Sequence, residues 1–393
     1  MKFIGRVNLF MITVITILIS GCIVQPFTQD EKESQESPVT ITMFKEEGGR
    51  VDWSHDRDVI AFDRKGTDGS YDIYITDQCG ILERRFTHDS YPQHSGNPAW
   101  HPSSRWIVFQ SVNTTLIPSY IGPENVNAYT NPGAGWLNNL WVADRDGRTF
   151  YRLTNVDVTG GVLHPHFSLD GSRLLWAERI GGGETDTGTW VLKVADFDSF
   201  DKSLKNIKIF TPGDQPCFYE SHGFSPDGTK ILFSGNLKKG QPLYGLDIYE
   251  LDLETQELTQ LTNSFYQWDE HAHYSPDGQK ILWMSSQGYD MNPLKTDYWI
   301  MDCDGSNKTQ LTFFNVPGHP HFMGKPIVAA DSSWGPDGDK IVAYIKTESE
   351  GLGSEGSIVM IELENEETGG TYSFFSSVWT WILLTIPHII IIN

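Results

Sequence analysis

Seven of the twelve histidines in this 393-residue chain lie in four short tracts. The tracts are His164-Pro-His166, Glu220-Ser-His222, Asp269-Glu270-His271-Ala-His273 and His319-Pro-His321. Imidazole nitrogens and carboxylate oxygens ligate Zn, Mn or Fe, with geometry deciding which. An ion held by such a set acts as a Lewis acid or lowers the pKa of a bound water. Without an ion, clustered histidines bind an anionic ligand at mildly acid pH, because imidazole titrates near neutrality. In a strand, residues i and i+2 face one side. His164 with His166, and His271 with His273, are therefore each expected to present two rings together. The candidate ligands for one divalent transition metal (Mn, Zn or Fe) are His164, His166, Glu220, His222, Glu270, His271, His273, His319 and His321. The competing reading of any one ring is packing, with the imidazole hydrogen-bonded to a neighbouring turn. No catalytic residue is assigned.

Tracts so far apart in the chain meet only if a repeat brings them together, and each precedes one. The phrase is an aromatic, a small polar residue, Pro-Asp-Gly or a variant, then an apolar run. It reads Phe224-Ser-Pro-Asp-Gly228, Tyr274-Ser-Pro-Asp-Gly278 and Trp334-Gly-Pro-Asp-Gly338, with looser copies at Trp53, Trp100 and Phe167. Pro presets φ for a turn and Asp-Gly supplies a residue that tolerates positive φ, so each phrase predicts a hairpin. A third strand is expected at 71–76, 139–143, 189–194, 247–251, 297–301 and 356–361. A fourth ends in Arg152-Leu-Thr154, Gln260-Leu-Thr262 or Gln310-Leu-Thr312, with Arg85-Phe-Thr87 as the first version. Self-similarity at a period of roughly 50–60 residues marks a repeat architecture. Four short antiparallel strands per unit, arranged about an axis, make a propeller blade. The expected fold is all-β: a six-bladed β-propeller of four-stranded antiparallel blades. The sixth unit lacks a Leu-Thr strand, and the segment 38–44 is placed to supply it. An N-terminal strand closing the last blade would hide a sheet edge.

This repeat resembles the TolB-like propeller family over about residues 38–365. That family's unit is the aromatic-Ser-Pro-Asp-Gly hairpin followed by Asp-Ile-Tyr and a Leu-Thr strand. The family includes periplasmic interaction proteins, propeller domains of serine peptidases and sugar-lyase relatives, so the fold leaves the function open. The His-x-His tract before such a hairpin is also similar to the metal-site region of oligogalacturonate lyases, which are β-propeller enzymes. That short similarity implies His222, His271 and His273 as ligands. The complete ligand set and catalytic base of those enzymes have no counterpart located in this sequence. Two functions follow as expectations. One is a ligand- or protein-binding module at the cell envelope. The other is a metal-dependent, polysaccharide lyase-like enzyme with a histidine cluster at the channel mouth.

The chain carries 29 basic and 51 acidic residues, a net charge of −22. Nucleic acid is not an expected partner, since phosphate binding needs clustered Lys and Arg. Lys2 and Arg6 precede an apolar run at 7–19, and Ile19-Ser-Gly-Cys22 looks like a bacterial lipobox. These imply a signal peptide at 1–21, lipid on Cys22, export and a membrane tether at 22–37. The alternative is an ordinary signal peptide or an uncleaved anchor. Location is expected to be extracytoplasmic, in the periplasm or at the cell surface. The propeller is placed at 38–367, as a monomer with a protein or carbohydrate ligand at its channel mouth. An apolar tail fills 368–393. Its readings are a membrane-associated segment, an added strand or flap, and a non-native terminus.

Other chemistry is excluded. There is no Gly-x-Ser-x-Gly elbow, so no serine hydrolase site. There is no Cys-x-x-Cys, so no zinc ribbon. Gly181-Gly-Gly183 opens no helix and is not a phosphate loop. Cys79 and Cys303 occupy equivalent turns of non-neighbouring units, so no bridge between them is expected. Aromatics in the insertion 113–138 (Tyr120, Tyr129, Trp136) would stack on a sugar or pack over the blade, and packing is favoured slightly.

Overall fold

In the computed structural model the Ser-Pro-Asp-Gly phrase folds as a self-contained reversal. Ser225 Oγ donates to Asp227 Oδ1 at 2.6 Å and accepts from the Lys230 N–H at 3.0 Å. Asp227 Oδ1 also takes the Thr229 N–H at 3.0 Å, and Gly228 sits at φ 71°. The same bonds recur around Ser168 and Asp170 and around Ser275 and Asp277. The structure describes residues 39–364 apart from 89–92, 118, 120–125, 158, 182–187, 215 and 348–355. The segments expected as signal peptide and tether, Cys22 and the apolar tail lie outside the described residues.

The second half of the repeat has an equally local cause. The threonine of the Leu-Thr strand accepts a backbone N–H from the third strand and donates to the acid that opens that strand. Thr87 Oγ1 donates to Asp72 at 2.7 Å and accepts from the Ile73 N–H at 3.0 Å. Thr312 Oγ1 does the same with Asp297 and Tyr298, both at 2.9 Å. In blade two Asn139 replaces the acid and accepts from Thr154 Oγ1 at 3.0 Å. Each clamp stitches the outer edge of a blade to its centre.

Six four-stranded antiparallel sheets result. In blade six the outermost strand is Val39–Gly48, pairing from Val39↔Leu363 to Gly48↔Gly356. The N-terminal strand thus completes the last blade, as the missing Leu-Thr strand predicts. Blade three also lacks Leu-Thr; its outer strand is Ser203–Phe210, longer than the two- or three-residue outer strands of blades one, two, four and five. The phrase aromatics fill the spaces between blades. Trp334 belongs to the apolar cluster that also holds Tyr298 and Phe314, and Phe224 to the one that holds Trp190 and Tyr219. Each such ring removed from water contributes on the order of 1.5–3 kcal/mol. The innermost strands touch their neighbours in cyclic order, blade six against blade one included. Trp53 N–H donates to Ser333 Oγ at 3.0 Å across that junction.

Candidate metal centre

The innermost strands are Val51–Ser54, Gln93–Trp100, Gly161–Phe167, Tyr219–Phe224, Asp269–Tyr274 and Ile327–Trp334. Five of them carry one extra residue against their partner. The register slips between Gly96 and Ala99, Leu163 and His166, Ser221 and Gly223, Glu270 and His273, and Ala329 and Ser332. A bulge breaks the period-two alternation and re-aims the side chain it carries. Asn97, His164 and His271 adopt φ of 51°, 48° and 53° there. This corrects the expectation that His164 with His166, and His271 with His273, present their two rings together. His164 instead stacks on His271, ring centroids 5.3 Å apart, and His166 pairs with His273 at 5.4 Å.

Three residues before the phrase aromatic, the six blades place Arg50, Asn97, His164, Ser221, His271 and Asp331. Arg50, Asn97 and Asp331 escaped the sequence reading. Counting back three positions in every repeat would have found them; searching for histidine did not. His164 and Asp331 come from opposite blades, yet His164 Nδ1 lies 3.4 Å from Asp331 Oδ1. The channel is therefore filled by side chains at this level.

One donor atom each from His164, Glu220, His222 and His271 lies within 4.8 Å of the others, and all four residues are buried. His164 Nε2 is 3.2 Å from Glu220 Oε1, and His271 Nδ1 is 3.6 Å from the same oxygen. His271 Nε2 is 3.6 Å from Glu270 Oε2. Metal–donor bonds of about 2.0–2.2 Å set adjacent ligands roughly 3.0–3.5 Å apart, so these separations suit a shared ion. The cluster is capable of coordinating a divalent metal. Two buried nitrogens support that fit: His222 Nδ1 and His271 Nδ1 make no hydrogen bond. His271 Nδ1 is 3.1 Å from Asp331 Oδ1, within ion-pair distance. Orphaned buried polar atoms are uncommon in folded proteins.

Burial sets the protonation. It pushes His164 down to about 3 and His273 down to about 4. It holds His166 and His222 well below the usual histidine range. Neutral imidazole is the form that ligates. Burial drives Glu220 well above the carboxylate range, and the charges of Glu270 and Asp331 add to it. Burial raises Glu270 as well. Burial would also raise Asp331, but His271, His164 and Arg50 outweigh it and hold that carboxyl well below its usual value.

The remaining candidates divide. His166 Nε2 faces the Ser221 carbonyl at 3.2 Å, and with His273 it lines a cavity of about 50 Å³ shared with Arg50, Asn97, His164 and Asp331. His319 and His321 lie on the loop into blade six, away from its inner strand. His319 packs on Phe313, centroids 4.4 Å apart, and His321 Nε2 meets the Val39 carbonyl at 3.3 Å. The inner-strand place expected for that tract belongs to Asp331. In the insertion, Tyr129 packs edge-on against Trp136 at 5.2 Å, and the Arg179 guanidinium covers Trp136 at 4.8 Å.

No family model matches the chain. It is 30% identical to the Tol-Pal system protein TolB of Anaeromyxobacter dehalogenans over 139 residues, 35% of this chain and 27% of that protein. Matched segments span 38% or less of the curated relatives. Among solved structures, a putative TolB from Agrobacterium tumefaciens superposes with a TM-score of 0.51 at 19% identity, over 76% of this chain and 90% of that one. An oligogalacturonate lyase in complex with manganese gives 0.48 at 14% identity, over 85% and 95%. The chain is a six-bladed β-propeller that resembles TolB in fold rather than closely in sequence.

Proposed function

We propose that this protein is an exported, lipid-anchored propeller that holds one divalent transition metal in its channel and acts on an acidic polysaccharide, as a lyase does. The convergence of His164, Glu220, His222 and His271 on one point carries the reading. Two neighbouring carboxylates, Glu220 and Glu270, repel each other in a buried setting, and a cation relieves that repulsion. When bound, the ion supplies Lewis acidity toward a carboxylate-bearing ligand. Around it, His166 and His273 are neutral and line the adjoining cavity, so either is in the state to accept a proton.

Size decides how a saccharide would approach. A cavity of about 50 Å³ takes an ion with a few waters, whereas ligand pockets are roughly 300–1,000 Å³. A cleft of about 420 Å³ lies in blade six, lined by Lys325 and Lys346 among others. Lys346 feels the charges of Arg50, Asp331 and Glu270, which links the cleft to the channel ring. The basic start, the lipobox-like Ile19-Ser-Gly-Cys22 and the likeness to TolB support export and anchoring through Cys22. The likeness to TolB also favours a second reading, a binding module without catalysis.

The test is elemental analysis of the purified full chain after equilibration with Mn²⁺, Zn²⁺ or Fe²⁺. One ion per chain is expected, lost in Glu220→Gln and in His222→Ala. Absence of an ion from the wild type, or its retention by both variants, overturns the metal reading. Ion binding without release of unsaturated uronate from acidic oligosaccharides selects the binding module.

A further inference from the structure

We propose that Asp331, braced by Arg50, is the positioning carboxylate of this centre: it takes the Nδ1 side of His164 and so fixes Nε2 as the nitrogen that ring turns toward Glu220. The inference rests on the metal reading above and names a residue that the four converging donors do not include.

The geometry has three parts. First, a single oxygen, Asp331 Oδ1, lies 3.1 Å from His271 Nδ1 and 3.4 Å from His164 Nδ1. With Nδ1 of His164 directed there, its Nε2 faces Glu220 at 3.2 Å, whereas His271 Nδ1 lies between Asp331 Oδ1 and Glu220 Oε1, 3.6 Å from the latter. One carboxylate oxygen therefore borders two imidazoles stacked 5.3 Å apart and takes the outward nitrogen of His164. Second, the other oxygen is held. Asp331 Oδ2 is 3.6 Å from Arg50 Nε, and that buried Nε–H makes no hydrogen bond. The Arg50 backbone N–H donates to Asp63 Oδ1 at 3.2 Å, and Asp63 Oδ2 takes the Asn97 N–H at 3.0 Å. The brace thus runs from blade two through blade one to blade six. Third, the backbone of Asp331 is pinned at its bulge, where its carbonyl accepts from Tyr298 Oη at 3.2 Å.

Ligating histidines nearly always give their second nitrogen to a carboxylate, carbonyl or water, which fixes ring orientation and tautomer. An imidazole without such a partner can turn about Cβ–Cγ and exchange the nitrogen it presents. A counter-ion for Arg50 alone would need only Oδ2. It would not explain why Oδ1 sits between two rings from blades three and five.

The experiment uses Mn²⁺ and Co²⁺ as probes on the full chain. Asp331→Asn is expected to weaken Mn²⁺ binding about 10–100-fold, the range for loss of an outer partner of a metal ligand. It is also expected to alter the visible spectrum of the Co²⁺ form and to remove the slowly exchanging Nδ1–H signal of His164 in histidine-labelled protein. Asp331→Glu is expected to restore part of the affinity. Arg50→Gln leaves Asp331 in place, is read if Asp331→Asn fails to fold, and is expected to lower affinity in the same direction with the same spectral change. Binding by Asp331→Asn within about twofold of wild type, with both signals unchanged, overturns the proposal, as does loss beyond roughly 1,000-fold, which marks a direct ligand. If His164→Ala and Glu220→Gln bind Mn²⁺ like the wild type, the metal reading itself has failed, a distinct result.

Discussion

The outer edge of the blades and the central ring both bury polar side chains, but they finish them differently. At the edge, buried Asp247 accepts from Ser264 N–H at 2.6 Å, Lys238 Nζ at 2.9 Å and the Gln241 and Gln260 amides at 3.0 Å. In the ring, Arg50 Nε, His222 Nδ1 and His271 Nδ1 are buried without a hydrogen bond. A buried donor or acceptor left alone costs about 1–3 kcal/mol, so the two regions serve different ends. The clamp closes on itself and recurs in four of the six blades with nearly the same residues. The ring position takes five identities in six blades, histidine alone occurring twice, and leaves atoms over for something that arrives from outside. Repetition marks what folding needs, and departure from repetition marks the candidate site.

Breaking the edge should hurt folding and spare the ion. Asp247→Ala strands several buried donors and an ammonium, and is expected to cost about 3–5 kcal/mol in chemical denaturation. Mn²⁺ stoichiometry should stay unchanged in the protein that remains folded; a loss of under about 1 kcal/mol would show that the clamp is dispensable.

A subtler contrast separates two clamps. Asp297 has Tyr289 Oη at 2.6 Å where Asp247 has Lys238. Burial pushes the Asp297 carboxyl up to about 6. An acid raised in the folded state contributes stability that is full below its unfolded pKa and lost as pH rises through its folded one. Asp297→Asn should therefore gain on the wild type as pH climbs from about 4 to about 8, by roughly 2–3 kcal/mol at most. A difference that stays flat with pH would mean the carboxyl is ionised throughout.

In the ring the order reverses. Glu220→Gln removes a crowded carboxyl, and its unfolding free energy should lie within about 1 kcal/mol of the ion-free wild type. Its melting temperature should not respond to Mn²⁺, whereas the wild type should gain about 2.7 kcal/mol at a hundredfold excess over Kd. A response equal to wild type would erase the distinction between edge and ring.

Much of this was written in the chain. Ser225, Asp227 and Gly228 close their turn with bonds a few residues long, and Thr312 clamps Asp297 across one hairpin, so local pattern sufficed to read turn, strand and blade. The absent Leu-Thr strand in the sixth unit pointed to 38–44 because comparison of the repeats shows one edge strand missing, although the pairing itself joins Val39 to Leu363. The tract His319-Pro-His321 misled because spacing from an aromatic was judged loosely and His was weighted over position. Asp331, an ordinary acid in an apolar strand, gave no chemical signal at all.

By itself the sequence determined the number of blades, the closing strand and three of the histidine tracts that border the axis, since the repeat is legible unit by unit and a missing edge strand shows when the units are compared. Only the closed ring decided which side chains meet. One extra residue in each of five inner strands re-aims its side chain, and cyclic packing sets blade three 3.4 Å from blade six at His164 and Asp331. Bulge position and ring closure depend on every blade at once, and no single repeat carries that information.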